Sequence, residues 1–209
     1  MTARPHDAVI CDLDGVLRHW PDAGPVERRH GLPAGALAAA AFADARLLPA
    51  ITGRVTDEEW RAAVADDLAA RHGPAARAAV AEWSALVPST DEEVAALLRA
   101  ARAAVPVALL SNATTRLESD LAATLPPGVA DEIVNTARIG VAKPDPAAFL
   151  AAADRLGVPP RRCLFADDSA ANVAAARRTG MTAVHFRAPR DLRRALAPLL
   201  GGTPLHAIG

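Results

Sequence analysis

The chain has 209 residues, 51% of them hydrophobic but only 3% aromatic, and a formal net charge of −1. A near-neutral chain has no global field to gather nucleic acid or an anionic membrane surface, so neither is an expected partner, and an anionic ligand must be held by local groups. No run approaches the roughly 18 apolar residues of a membrane span, residues 1–7 carry no signal-like apolar stretch, and the two cysteines, Cys11 and Cys163, sit in apolar runs without metal-ligand spacing, so the expectation is a soluble cytoplasmic protein with reduced thiols.

Taken in chain order, residues 8–11 form a short apolar run that reads as a buried strand and ends at Asp12-Leu13-Asp14-Gly15. About 90 residues then pass before the next such run, far more than one crossover helix needs, and the stretch reads as helical throughout. Residues 32–42 are Ala-rich, Thr56-Asp57-Glu58-Glu59 matches a capping box for a helix to about residue 71, and Pro74 opens another to about residue 86. Val87-Pro88-Ser89 closes the segment, and Thr90-Asp91-Glu92-Glu93 reads as a second capping box, for a helix over 91–104 with Val94, Leu97, Leu98 and Ala101 on one face.

From there strands and helices alternate. Strands are expected at 105–110, 132–136, 163–166 and 182–186, and helices at 114–125, 146–156 and 172–179. The strands lack strict alternation, as parallel strands covered on both faces do. The pattern predicts an α/β fold with a doubly wound parallel sheet. Residues 1–17 and 89–209 would form the core domain and residues 18–88 a small inserted helical domain, with a frayed tail after Gly201.

Four segments at strand ends carry chemistry. Asp12 and Asp14, spaced i and i+2 with Gly15 allowing a sharp turn, place two carboxylates at one strand end, where they repel unless a cation or a shared proton compensates. Asp167-Asp168 ends the fourth strand in the same way, and together these acids offer an oxygen cage suited to Mg²⁺. Ser111-Asn112 ends the second strand and can donate hydrogen bonds to a phosphate. Lys143, in Val141-Ala142-Lys143-Pro144-Asp145-Pro146, has no part in the helix start that Asp145 and Pro146 make, and can lean into the site to balance the acids. Each segment also admits a plain capping or surface role, but all four lie at carboxyl ends of strands, where open α/β sheets bind ligands.

These motifs resemble the haloacid dehalogenase-like hydrolase superfamily over essentially the whole chain: Asp-Leu-Asp-Gly-Val at Asp12–Val16, Leu-Leu-Ser-Asn ending at Asn112, Lys143-Pro144, and Asp167-Asp168. The resemblance implies a sheet of order 5-4-1-2-3, a helical cap between the first and second motifs, and Mg²⁺ as cofactor. It also implies Asp12 as nucleophile toward a phosphoryl group, and Asp14 as general acid and base that gives its backbone carbonyl to the metal. Asp168 would be a direct ligand and Asp167 a direct or water-mediated one. Ser111, standing where many members have Thr, and Asn112 would bind phosphate oxygens, and Lys143 would hold both Asp12 and the phosphate.

The stretch Ile51-Thr52-Gly53-Arg54-Val55-Thr56-Asp57-Glu58-Glu59-Trp60 is similar to a cap pattern of small sugar-phosphate phosphatases and of the phosphatase domain of soluble epoxide hydrolase. It makes Arg54 a candidate for substrate hydroxyls or a second anion. Arg18, His19 and Trp20 are placed at the entrance, Trp60 and Trp83 as anchors of the cap's own core, and His72, His185 and His206 are given no role. The expected activity is hydrolysis of a small phosphate monoester. The alternatives are a sugar phosphomutase with the same nucleophile and a non-catalytic binding protein; a dehalogenase is disfavoured because halide leaves without the proton Asp14 would supply. Nothing in the pattern sets an oligomeric state.

Overall fold

A computed structural model describes residues 4–200; the tail after Gly201 and His206 lie outside the described residues. The chain begins with β1 (Ala8–Cys11) and a short β2 (Arg18–His19). Five helices follow: α1 (Gly24–Arg29), α2 (Ala36–Ala41), α3 (Asp44–Ile51), α4 (Asp57–His72) and α5 (Ala76–Ser84). Next come β3 (Ser89–Thr90), α6 (Glu92–Arg102), β4 (Val107–Ser111), α7 (Leu117–Thr124), β5 (Glu132–Asn135) and α8 (Thr136–Ile139). The chain closes with α9 (Pro146–Arg155), β6 (Cys163–Asp167), α10 (Ala170–Arg178), β7 (Thr182–His185) and α11 (Pro189–Leu196).

Five strands form a parallel sheet in the order β5-β4-β1-β6-β7. In chain order this is the expected 5-4-1-2-3 arrangement, with the direction of the chain's crossovers reversing at β1. The first strand therefore has β4 on one side and β6 on the other, in registers Cys11↔Leu109 and Cys11↔Ala166. That register brings the carboxyl ends of β1, β4 and β6 together.

The period of two along β1 splits the core between the sheet's faces. Val9 and Cys11 point to one side, among Val107, Leu109, Leu97, Leu98 and Leu192; Ala8 and Ile10 point to the other, among Leu110, Phe149, Phe165 and Val173. Phe149 and Phe165 meet edge to face at 5.2 Å, an arrangement aromatic quadrupoles favour. Cys11 and Cys163 are both free and buried, in the apolar layers on opposite faces.

A third apolar cluster contains only residues from 26 to 80, among them Leu37, Trp60, Val64 and Leu68. Trp60 is a member and Trp83 packs against it, as expected of anchors. The predicted capping box on α4 is present: Thr56 Oγ1 accepts from Glu59 N, and Glu59 returns the bond to Thr56 N. The second one is not. Asp91 caps α6 instead, accepting from Val94 N at 3.0 Å, because Thr90 pairs with Arg18 in the antiparallel β2–β3 ribbon. That ribbon is also a departure from the all-helical reading of this stretch, and it brings together the two chain segments that flank α1–α5. No described helix is long and apolar enough to cross a membrane.

Candidate active site

Asp12 follows β1 directly and its backbone N–H donates to the Ala166 carbonyl at 2.8 Å, fixing the loop to β6. Gly15 then adopts φ +92°, a left-handed conformation that costs a side chain but not glycine. The close approach leaves no alternative: a Cβ at this position would lie 2.2 Å from Asp168 Oδ2. The turn thus sets the first acidic loop against the fourth.

Lys143 lies between the two buried carboxylates. Its Nζ donates to Asp12 Oδ1 (2.7 Å), to Asp167 Oδ2 (2.8 Å) and to the Leu110 carbonyl (2.9 Å), with 1% of its side chain exposed. All three ammonium protons are used. Burial by itself would lower the Lys143 pKa, but the two carboxylates outweigh it and hold the amine above its ordinary value. Burial raises the Asp12 carboxyl to about 7, with Asp167 adding to the rise and Lys143 opposing it.

Carboxylate oxygens of Asp12, Asp167 and Asp168 lie within 4.8 Å of one another. Three carboxylates against one ammonium leave a charge of about −2, which matches a divalent ion, and an all-oxygen donor set suits Mg²⁺. Asp168 is the exposed member, and burial together with Asp167 raises its pKa. Asp167 is the most committed: beyond Lys143 it accepts from Ser169 N (2.8 Å) and Asn172 Nδ2 (3.0 Å). His185, given no role from sequence, has no ligand position but donates from Nε2 to the Asp168 carbonyl at 2.8 Å, bracing that loop.

Asp14 stands apart from this cluster. Its carboxylate accepts two bonds from Arg18, Nε at 2.7 Å and Nη2 at 2.9 Å, and one from Trp20 Nε1 at 2.7 Å; the buried Ser111 Oγ lies 3.4 Å away. Asn112 uses its amide within the protein. Its Nδ2 donates to the Lys143 carbonyl and its Oδ1 accepts from Lys143 N, both at 2.8 Å. The side chain thereby holds the Lys143 loop against the end of β4.

A cavity of about 440 Å³ opens from Asp14 and Asn112 toward α1–α5. Trp20, Phe42, Leu47, Ile51, Trp60 and Trp83 supply its apolar lining. Arg18 and Trp20 are at its wall, as the sequence suggested, and His19 lines a separate groove beside Asp168. Arg54 is not among the lining residues and is exposed. The neighbouring Gly53, at φ +70°, packs so closely on Ala137 that a Cβ would sit 2.0 Å from its carbonyl oxygen, and this contact presses the turn against α8 rather than into the cavity.

A second guanidinium on the wall beside Arg18 is that of Arg61, a residue in none of the motifs: it pairs with Asp57 at 2.6 Å, donates to Ser84 Oγ at 2.7 Å and lies over Trp60 and Trp83. Its i, i+4 spacing from Asp57 was the available signal. Asp57, beyond its place in the capping motif, ties α4 to the loop after β4: Thr114 Oγ1 donates to its carboxylate at 2.7 Å, and its own N–H donates to Thr115 Oγ1 at 2.9 Å.

A family model described as haloacid dehalogenase-like hydrolase matches residues 6–180. A protein named as a phosphatase from Mycobacterium tuberculosis is 49% identical over 53 residues, 25% of this chain and 24% of its own length. A CBBY-like protein from Arabidopsis thaliana is 50% identical over 42 residues, 20% of this chain and 13% of its own. The matches thus span a quarter or less of these curated relatives.

Among solved structures, a HAD family enzyme from Bacteroides thetaiotaomicron, in complex with magnesium and inorganic phosphate, superposes with a TM-score of 0.68 at 22% identity, over 85% of this chain and 92% of that one. An L-2-haloacid dehalogenase from Xanthobacter autotrophicus does so with a TM-score of 0.61 at 22% identity, over 85% and 76%. At these identities the likeness is one of fold.

Proposed function

Because the chain belongs to the haloacid dehalogenase-like hydrolase family, we propose that it is a magnesium-dependent phosphatase that cleaves a small phosphate monoester through an aspartyl-phosphate on Asp12. The observation that carries this reading is the buried Asp12–Lys143–Asp167 arrangement with Asp168 beside it, at the carboxyl ends of β1 and β6. The names of the Mycobacterium phosphatase and of the magnesium and phosphate complex from Bacteroides support it.

In this proposal Asp12, Asp167, Asp168 and the Asp14 backbone carbonyl would hold Mg²⁺. The bound ion supplies charge neutralisation where an anionic nucleophile meets an anionic phosphate. The Asp12 carboxylate attacks phosphorus; its Oδ1 is held by Lys143 and by Leu13 N, and Oδ2 has no hydrogen-bond partner among the described residues. As the P–O bond to the leaving group breaks, Asp14 gives a proton to the departing alkoxide. Water then attacks the phosphoenzyme, Asp14 takes up its proton, and phosphate leaves as the Asp12–phosphorus bond breaks. To act, Asp14 exchanges its contact with Trp20 for the leaving-group oxygen and keeps its bridge to Arg18. Ser111 holds a phosphate oxygen, and Lys143 keeps the Asp12 carboxylate in place for the attack.

Residues 18–88, with α1–α5, serve in this reading as a cap that shields the reaction from water. The position of Asp14 on the cavity wall favours phosphoryl transfer over dehalogenation, because only the former needs a proton at the leaving group. A phosphomutase must also bind a second phosphate, and both guanidinium groups on the cavity wall are already paired with carboxylates.

The test is phosphate release from a panel of small monoesters with and without Mg²⁺. Release that requires Mg²⁺, stops with EDTA and is absent in Asp12→Asn is the expected result. Full activity in Asp12→Asn would remove Asp12 as nucleophile.

A further inference from the structure

The cavity that begins at Asp14 has a lining whose chemistry restricts the leaving group. Its charged members are five carboxylates (Asp14, Asp22, Glu27, Asp57 and Asp120) against two guanidinium groups, Arg18 and Arg61. Both are paired with carboxylates: Arg18 forms a two-point bridge to Asp14 through Nε and Nη2, with its buried Nη1 left without a partner, and Arg61 pairs with Asp57 and Ser84. The carboxylates are committed to the fold as well. Glu27 accepts from the N–H groups of Gly35 and Leu37, Asp22 from Gly24 N, and Asp120 from Arg116. A second anion on the substrate would therefore enter a space of net negative charge in which both cations already have carboxylate partners and only Arg18 Nη1 has a free N–H.

The remaining wall is apolar and aromatic. Phe42 meets Trp83 edge to face at 6.5 Å, and Trp83 meets Trp60 at 5.7 Å. Trp20 and Phe42 line the cavity yet are 46% and 55% exposed, so the aromatic surface extends to the mouth. A volume of about 440 Å³ falls in the range of ligand pockets, and such pockets gain most of their affinity from apolar contact.

We infer that the substrate's leaving group is uncharged and carries an aromatic or similarly broad apolar body, seated among Trp20, Phe42, Leu47, Trp60 and Trp83. Phosphorylated carboxylic acids and bisphosphates are poorer substrates in this reading. The inference rests on the phosphatase reading for the phosphate end of the substrate, while the cavity end is tested separately.

Three esters of simple alcohols separate the possibilities: 2-phenylethyl phosphate, ethyl phosphate and carboxymethyl phosphate. The first two have leaving groups of similar basicity, so their ratio reports contact rather than bond strength. The expected result is a kcat/KM for the phenylethyl ester about tenfold or more above that for the ethyl ester, in line with what apolar pockets discriminate, and the carboxymethyl ester poorest. Phe42→Ala should shrink the phenylethyl-to-ethyl ratio several-fold. Leu47→Lys, which adds an unpaired cation to the wall, should raise the carboxymethyl ester relative to the phenylethyl one. Equal rates on all three, or a preference for the carboxymethyl ester in the unaltered protein, would overturn the inference and leave the phosphatase reading standing.

Release from none of them would count against the phosphatase reading, and the cavity would still be tested by binding. All three tryptophans of the chain line it, so their fluorescence reads occupancy by 2-phenylethylphosphonate, ethylphosphonate and phosphonoacetate. Tightest binding of the phenylethyl compound supports the inference, and tightest binding of phosphonoacetate overturns it.

Discussion

Lys143 shows how much a single side chain supports in this site. It neutralises two buried acids and also satisfies the Leu110 carbonyl. Lys143→Met leaves Asp12 and Asp167 facing each other without a counter-charge, and breaking such a buried pair costs about 3–5 kcal/mol. Urea unfolding should show that loss, and Mg²⁺ should return part of it by replacing the missing positive charge. The same crowding gives a pH prediction. Asp12 is raised to about 7 in the folded protein, against roughly 4 in an unfolded chain. The native state then binds more protons between these values, so the contribution of this group to metal-free stability falls as pH rises from about 4 to about 7. Mg²⁺ needs the ionised form. The rise in Tm on adding Mg²⁺ should be small at about pH 5.5 and grow through neutrality, as thermal melts at several pH values would show.

At the scale of elements, the loops after β1 and β6 act as one unit because Gly15 allows them to touch. Gly15→Ala would force a Cβ to within 2.2 Å of Asp168 Oδ2 at a backbone angle that disfavours it. The carboxylate must move, so Mg²⁺ affinity should fall about tenfold or more, as it does when a supporting contact of a metal ligand is lost, and calorimetric titration would measure this. A Kd for Mg²⁺ unchanged in Gly15→Ala would remove Asp168 from the proposed ligand set. The start of α4 is held by a local device of a different kind. Thr56→Ala removes the cap on Glu59 N and should lower stability by about 1 kcal/mol.

For the molecule as a whole, the central question is how the helices α1–α5 are registered over the sheet. Asp57 is the principal polar tie, joining Thr114 and Thr115 beyond β4 to Arg61 on the cavity wall, with 2% of its surface exposed. Asp57→Ala should therefore raise KM more than it lowers kcat, since it loosens the cavity while leaving Asp12, Lys143 and Asp168 in place. Steady-state kinetics separate the two, and a loss confined to kcat would mean that the tie serves the chemistry rather than the substrate.

By itself the sequence determined the strands, their parallel arrangement and the acids at their ends. Each of these is a local pattern: a short apolar run buried on both faces, followed at once by Asp12 or by Asp167 and Asp168. The short helices α1, α3 and α8 and the β2–β3 ribbon left no such pattern, being only a turn or two long or held by pairing with distant residues. The tertiary structure alone decided who partners whom. Lys143 reaches Asp12 across 131 positions of sequence, Asn112 clasps the backbone of the Lys143 loop, and Asp14 is met by Arg18 and Trp20. It also turned Arg54 out to solvent and put Arg61 on the cavity wall. The reason is that hydrophobic periodicity reports which face of an element is buried, whereas hydrogen-bond partners and cavity walls depend on distances between elements that no local pattern encodes.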